Sequence, residues 1–185
     1  MATTTGTAAQ ARTTWKIDPS HSDIGFGVRH LMISTVKGRF TGVEGTVVED
    51  EANPGSVDID VRIDAASIDT REGQRDAHLR SGDFFEVEKY PHLTFTSSGV
   101  IDRRGGRFSV PGTLTLHGVT RDVTLDVREE GRATDPWGGE RQGFTATATI
   151  KRSDYGLTWN QTLETGGLLV GDDVKIALEL ELIKQ

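Results

Sequence analysis

Strict alternation between apolar and polar residues is the feature that most limits what this chain can fold into. Val57, Ile59, Val61 and Ile63 alternate with Asp58, Asp60, Arg62 and Asp64, and Val174, Ile176, Leu178, Leu180 and Leu182 alternate with Lys175, Ala177, Glu179 and Glu181. Phe144, Ala146, Ala148 and Ile150 are spaced by threonines, and Val123, Leu125 and Val127 by Thr124 and Asp126. Weaker copies lie at Ile24, Phe26 and Val28, at Leu93 and Phe95, and at Leu114 and Leu116. Successive side chains of a strand point to opposite faces, so each run has one apolar face and one wet face. Antiparallel strands with a single buried face read this way, whereas parallel strands are covered on both faces. Between the runs fall Asn53-Pro54-Gly55, Gly105-Gly106, His117-Gly118 and Pro136-Trp137-Gly138-Gly139, residues suited to turns that need a fixed or positive φ. The spacing predicts an all-β chain of about eight antiparallel strands with no internal repeat or linker. A closed barrel is the expected architecture, because closure leaves no strand edge unpaired.

The 185 residues suit one domain. The absence of cysteine removes disulfides, thiolate metal sites and cysteine nucleophiles together. A net charge of −7 argues against a general nucleic-acid or anionic-membrane surface, which would need a basic face. No apolar run approaches the roughly 20 residues of a membrane helix, so no stable membrane insertion is expected. Residues 1–14 are rich in Thr and Ala and have neither a basic start nor an apolar stretch. They are expected to form a disordered polar arm rather than a signal peptide, with 15–185 as the folded domain and the cytoplasm as its compartment.

One segment breaks the rhythm. Asp69 with Glu72 three residues on reads as a helix start, and Gly82 as a stop after Ser81. Arg71, Arg75 and His78 then share one helical face, and Phe84 and Phe85 are placed to anchor the helix on a barrel mouth. That basic face has two readings: a solvated surface paired with Asp69, Glu72 and Asp76, or a cationic patch for an anionic head group. The apolar strand faces have two as well, since an eight-stranded barrel can be filled by its side chains or enclose a ligand. The small residues Ala146 and Ala148 favour some empty volume. Catalytic templates are missing: there is no G-x-S-x-G, no P-loop and no dinucleotide fingerprint between a strand and a helix. His21, His30, His78, His92 and His117 lack local metal-ligand spacing, so neither a metal nor a cofactor is expected.

Several separated blocks resemble the YceI-like family of lipid- or polyisoprenoid-binding proteins, from about Trp15 to the C-terminus. The run Trp15-Lys16-Ile17-Asp18-Pro19-Ser20-His21-Ser22 is similar to the family's start and continues through Phe26, Val28, Arg29, His30, Leu31 and Met32 to Gly38-Arg39-Phe40. The most specific block is His78-Leu79-Arg80-Ser81-Gly82-Asp83-Phe84-Phe85, followed by Tyr90-Pro91, Phe95 and Ser97. Gly112, Leu114, Leu116, Gly118-Val119-Thr120 and Val123, then Arg152-Ser153-Asp154-Tyr155-Gly156-Leu157, complete the resemblance.

The resemblance implies a single extended, lipocalin-like eight-stranded antiparallel barrel, with the short helix near its mouth and a long-chain lipid in its elongated apolar interior. Many relatives carry an export signal, which residues 1–14 lack, and this points to an intracellular version. The expected cavity walls are Ile24, Phe26, Val28, Phe40, Ile59, Val61, Phe84, Phe95, Leu114, Leu116, Phe144, Ile150, Leu157, Ile176 and Leu178. Arg29, His30, Arg75 and His78 are the candidates for holding a head group. The expected partner is a polyisoprenoid or similar long-chain amphiphile and not a nucleic acid, with a homodimer left open. The role is carriage, storage or sequestration without chemistry. The alternative is an enzyme acting on a lipid in the barrel, with His30, His78 or a carboxylate as acid or base.

Overall fold

The alternating runs become strands where their spacing places them. In the computed structural model, which describes residues 11–185, the elements are β1 (Arg12–Ile17), β2 (Asp23–His30), β3 (Ser34–Phe40), β4 (Val43–Asp50), β5 (Val57–Asp64), β6 (Ile68–Asp69), α1 (Gly73–Arg80), β7 (His92–Ser97), β8 (Ile101–Arg104), β9 (Arg107–Leu116), β10 (Val119–Thr134), β11 (Glu140–Lys151) and β12 (Val170–Lys184). All ladders are antiparallel.

Twelve strand segments make eight staves. Ile17 of β1 lies opposite Leu182 and Ile24 of β2 opposite Leu178, so β1 and β2 form one interrupted stave beside β12. Next to it, β3 pairs with β2 and β4 with β1, which makes β3 and β4 a second broken stave. By the same logic β5 and β6 continue one another beside β4 and β3, and β7 and β8 continue one another beside β9. Four unbroken strands, β9 to β12, complete the ring, and β12 closes it on β1. The first half of the barrel is therefore jointed and the second half continuous. The breaks hold residues that end or weaken a ladder: Pro19, Gly42, and Gly99, with a 3-10 turn at Ala65–Ser67 capped by the Asp64 carboxylate on the Ala66 amide. Pro111, in the middle of β9, lies where that strand faces the gap between β7 and β8.

Two expectations need correction. Strand β1 begins at Arg12 and pairs with β4 from Asp50, so residues 12–14 belong to the barrel and not to an arm. The threonines there are ordinary strand formers once a partner is at hand. Residues 1–10 of the expected arm lie outside the described residues. The helix starts at Gly73, with Glu72 and not Asp69 as its cap: the Glu72 carboxylate accepts from the amides of Gln74 and Arg75. Asp69 ends β6 and accepts from the Arg71 amide instead. Arg71 has φ of 63° and lies before the helix, so it does not share a helical face with Arg75 and His78. Pairing of β6 with β3 took Asp69 away from the helix.

Buried Trp15, Ile17, Phe40, Ile63, Ile68, Leu93, Val110, Leu116, Tyr155 and Leu182 belong to one hydrophobic cluster. Gly112 lets the Phe95 ring lie across β9: a Cβ there would run into the Thr96 carbonyl oxygen and the Phe95 ring. Gly112→Ala should therefore lower stability by about 1–3 kcal/mol, as overpacking does. Gly73, with open space where its Cβ would sit, should tolerate alanine without loss. Urea midpoints of the two variants check this pair. Equal midpoints would mean that β7 and β9 can move apart freely.

Candidate functional site

Residues that point into the barrel should be fully buried if side chains filled it. Several are not. Ile59 and Val61 on β5, Val123, Leu125 and Val127 on β10, and Ile176 and Leu178 on β12 are only half-buried although they stand mid-strand on the apolar face. They face a cavity of about 630 Å³ that runs inside the staves. All fifteen apolar residues nominated from the sequence line it, and so do Arg29, His30, Arg75 and His78. Ala146 also lines it and is buried, whereas its strand neighbour Ala148 is not among the lining residues.

One end of the cavity is a mouth covered by α1 and the loop after β11. β6 has β3 as its ladder partner, and α1 packs against it where a further strand would lie. The helix is held by polar bonds more than by apolar packing. Arg80 donates to the carbonyls of Ala66 and Ile68, and the buried Asp76 carboxylate accepts from the Thr70 amide and hydroxyl. Phe85 meets Phe40 edge-on at 5.7 Å, and Phe40 packs on Phe26, which carries the anchor into the cavity wall.

The acids near Arg75 do not neutralise it. Its Nε and Nη2 donate to the hydroxyl and carbonyl of Thr70, at 2.8 and 2.9 Å, and among the described residues its Nη1 has no hydrogen-bond partner. His78 Nε2 lies 2.8 Å from Asp83 Oδ2, and its ring stands edge-on to Phe84 and Trp159 at 5.1 and 4.7 Å. Arg29 reaches outward, donating to the Met32 carbonyl and Thr35 hydroxyl.

Sequence reasoning missed Trp159 and Arg152. The buried Arg152 lines the cavity and donates to the carbonyls of Leu157, Trp159 and Gly171 at 2.7–2.9 Å. Burial pulls its pKa below the ordinary arginine value, with the Asp172 charge opposing that shift. It fixes the loop over the mouth and places positive charge there. The signal was within reach, since Arg152 continues the inward two-residue period of Phe144, Ala146, Ala148 and Ile150, and an arginine on a buried face needs partners there. The far end of the cavity is also polar: Glu49 and Arg103 line it. Glu49 accepts from Trp15 Nε1, and Arg103 pairs with Glu129 and lies over Phe108.

Asp18, His21 and Glu181 bring possible metal-ligand atoms within 4.8 Å of one another at the β1–β2 break. A cation already sits among them. Arg141 Nη1 donates to both Asp18 and Glu181, while its Nε donates to Asp135. The Ser20 hydroxyl, then His21 and Arg141, hold the Asp18 carboxyl well below the usual range despite its burial. A carboxyl depressed on folding adds stability above its unfolded pKa of about 3.9, which is lost as pH falls through the folded value. The urea midpoint of the protein should fall steeply below about pH 4, and that of Asp18→Asn should fall less over the same window. Parallel curves would mean that Asp18 titrates alike in both states.

Together these features define a class: a lipocalin-like closed barrel with an apolar interior cavity and cations at its mouth. The sequence pattern of the YceI-like domain matches residues 15–182, and the chain belongs to that family. It is 42% identical to Protein YceI of Salmonella newport over 157 residues, 84% of this chain and 81% of that one. Among solved structures, BcnA of Burkholderia cenocepacia is 25% identical with a TM-score of 0.77, covering 89% of this chain and 98% of its own. The Campylobacter jejuni YceI protein is 36% identical with a TM-score of 0.72, covering 91% and 96%. A polyisoprenoid-binding domain from Saccharophagus degradans shares the fold at a TM-score of 0.66 and 19% identity, covering 92% and 98%. No helix among the described residues is long and apolar enough to cross a membrane.

Proposed function

We propose that the protein binds a long-chain isoprenoid-type lipid inside the barrel and carries, stores or sequesters it without chemistry. The observation that carries this reading is the cavity of about 630 Å³, walled by aliphatic and aromatic side chains and polar only at its ends. Its size falls within the roughly 300–1,000 Å³ of sites that bury small ligands. Each carbon moved from water into such a space contributes about 0.8 kcal/mol, or about 4 kcal/mol per five-carbon unit before ordering costs. The head group would stay at the mouth, where Arg75 offers a donor that has no partner among the described residues and Arg152 a positive charge.

The enzyme reading retains one observation, the His78–Asp83 pair at the mouth. Against it, no Ser, Cys, Lys or Tyr lines the cavity among the described residues, and the lining carboxylate, Glu49, lies at the far end. Native mass spectrometry of the purified protein should show a lipid-bound mass, and incubation with geranylgeraniol should return that alcohol unaltered. Protein that neither carries a lipid nor takes up geranylgeraniol would overturn the binding reading. A changed product would favour the enzyme.

A further inference from the structure

A ligand that is insoluble in water must enter the cavity from somewhere. Beside the mouth, the turn between β2 and β3 exposes Met32 and Ile33, which are 62% and 78% accessible, and the loop before β12 exposes Leu168 at 51%. The two are tied together by a bond from the Leu31 amide to the Leu169 carbonyl. Arg29, His30, Leu169 and Val170, which flank these residues in sequence, line the cavity, so the apolar tip is continuous with the cavity rim. The turn has a fixed shape: Leu31 and Met32 adopt φ of 52° and 60°, and Arg29 braces the Met32 carbonyl. Among the described residues Arg29 has no carboxylate partner, leaving its charge available to a phosphate. Away from this tip, the exposed apolar side chains among the described residues are Trp137, 88% accessible in the turn between β10 and β11 at the opposite end, and Ile101, 50% accessible at the start of β8.

We propose that the tip formed by Met32, Ile33 and Leu168 docks on the surface of a glycerophospholipid bilayer and turns the cavity mouth toward the lipid it loads or delivers. This rests on the lipid-binding reading above. The contact is shallow, with apolar side chains entering the head-group boundary and Arg29 meeting phosphates, and no chain segment crosses the bilayer. A net charge of −7 gives no long-range attraction to an anionic surface, so docking is driven mainly by apolar burial, and the single Arg29 contact makes it only weakly dependent on salt.

The test is co-sedimentation with phosphatidylcholine vesicles at physiological and high salt, with uptake of geranylgeraniol measured in parallel without vesicles. The protein should partition to vesicles to nearly the same extent at both salts. Ile33→Asp and Leu168→Asp should each weaken partitioning by about tenfold to a hundredfold, as expected for an apolar side chain kept in water. Trp137→Asp should leave partitioning unchanged, and all three variants should still take up geranylgeraniol. Three results would overturn the proposal: no vesicle association, equal loss in Trp137→Asp, or a dimer abolished by Ile33→Asp in protein that ignores vesicles. Vesicle association lost in Ile33→Asp but without geranylgeraniol uptake by any form would uphold docking and defeat the lipid-cavity reading instead.

Discussion

Val61→Trp should leave the barrel folded and cut affinity for geranylgeraniol by about two decades. Val61 stands in the middle of β5, opposite Gly45 on β4 and Phe95 on β7. It lines the cavity and is half-buried, so the space beside it is the volume a ligand would use. An indole ring takes up room that a five-carbon unit would otherwise occupy, and that unit is worth about 4 kcal/mol before ordering costs. Overpacking costs typically 1–3 kcal/mol, within the roughly 5–15 kcal/mol stability of a domain. A cooperative melt would establish that the variant folds. Ile176→Phe tests the same space from β12, three staves away in the ring. Folded variants with unchanged affinity would show that the ligand does not occupy the middle of the barrel.

The barrel was legible because its signal is local and repeated. A two-residue period in residues 57–64 or 174–182 survives in any antiparallel context, and both became strands. The joints were less legible because they depend on what lies alongside. Asp69 had the chemistry of a cap, but its backbone was claimed by the ladder with Arg39, and Glu72 capped the helix instead. The eight-fold count held while the segment count reached twelve, since a break in a stave leaves the apolar face in register on both sides. For the site, strand period told which face is inside and could not tell a filled interior from a hollow one. That distinction comes from the half-exposure of residues such as Ile59 and Leu178, a property of the closed ring. Trp159 and Arg152 were missed because the loop carrying Trp159 has no period, and Arg152 looks from sequence like the end of a strand.

The jointed half and the continuous half divide the work of the fold. Strands β9 to β12 run 10 to 16 residues and supply a continuous wall. The broken staves put side chains from 18–22 and 65–67 into polar contacts that an unbroken ladder would not allow. The break at 18–22 holds the Asp18–Arg141 network, and the break at 65–67 offers the Ala66 carbonyl to Arg80 of the helix. The helix side of the mouth is thus held by the jointed half, while the loop after β11, fixed by Arg152, covers it from the continuous half.

Arg75→Glu should weaken geranylgeranyl diphosphate by about one to two decades and leave geranylgeraniol nearly unchanged, because a charge-assisted bond is worth roughly 1.5–3 kcal/mol. This expectation rests on the position of Arg75. Its Nε and Nη2 are latched to Thr70, among the described residues its Nη1 has no hydrogen-bond partner, and Arg152 lines the same cavity. A glutamate there would lose the donor and add repulsion, since Glu72 and Asp76 already sit close in the same turn. Arg75→Gln separates the two effects, keeping a donor without the charge, and should fall between the native protein and Arg75→Glu for the diphosphate. Raising the salt should narrow the gap for the half-exposed part of the interaction and leave the alcohol unaffected. Equal weakening of diphosphate and alcohol would mean that releasing Thr70 disturbed the helix over the mouth, and Arg75 would then be a latch rather than a head-group contact. If neither ligand weakened, the head group would have to be held elsewhere along the rim, and Arg152, whose donors are directed to carbonyls, would act on it through its charge alone.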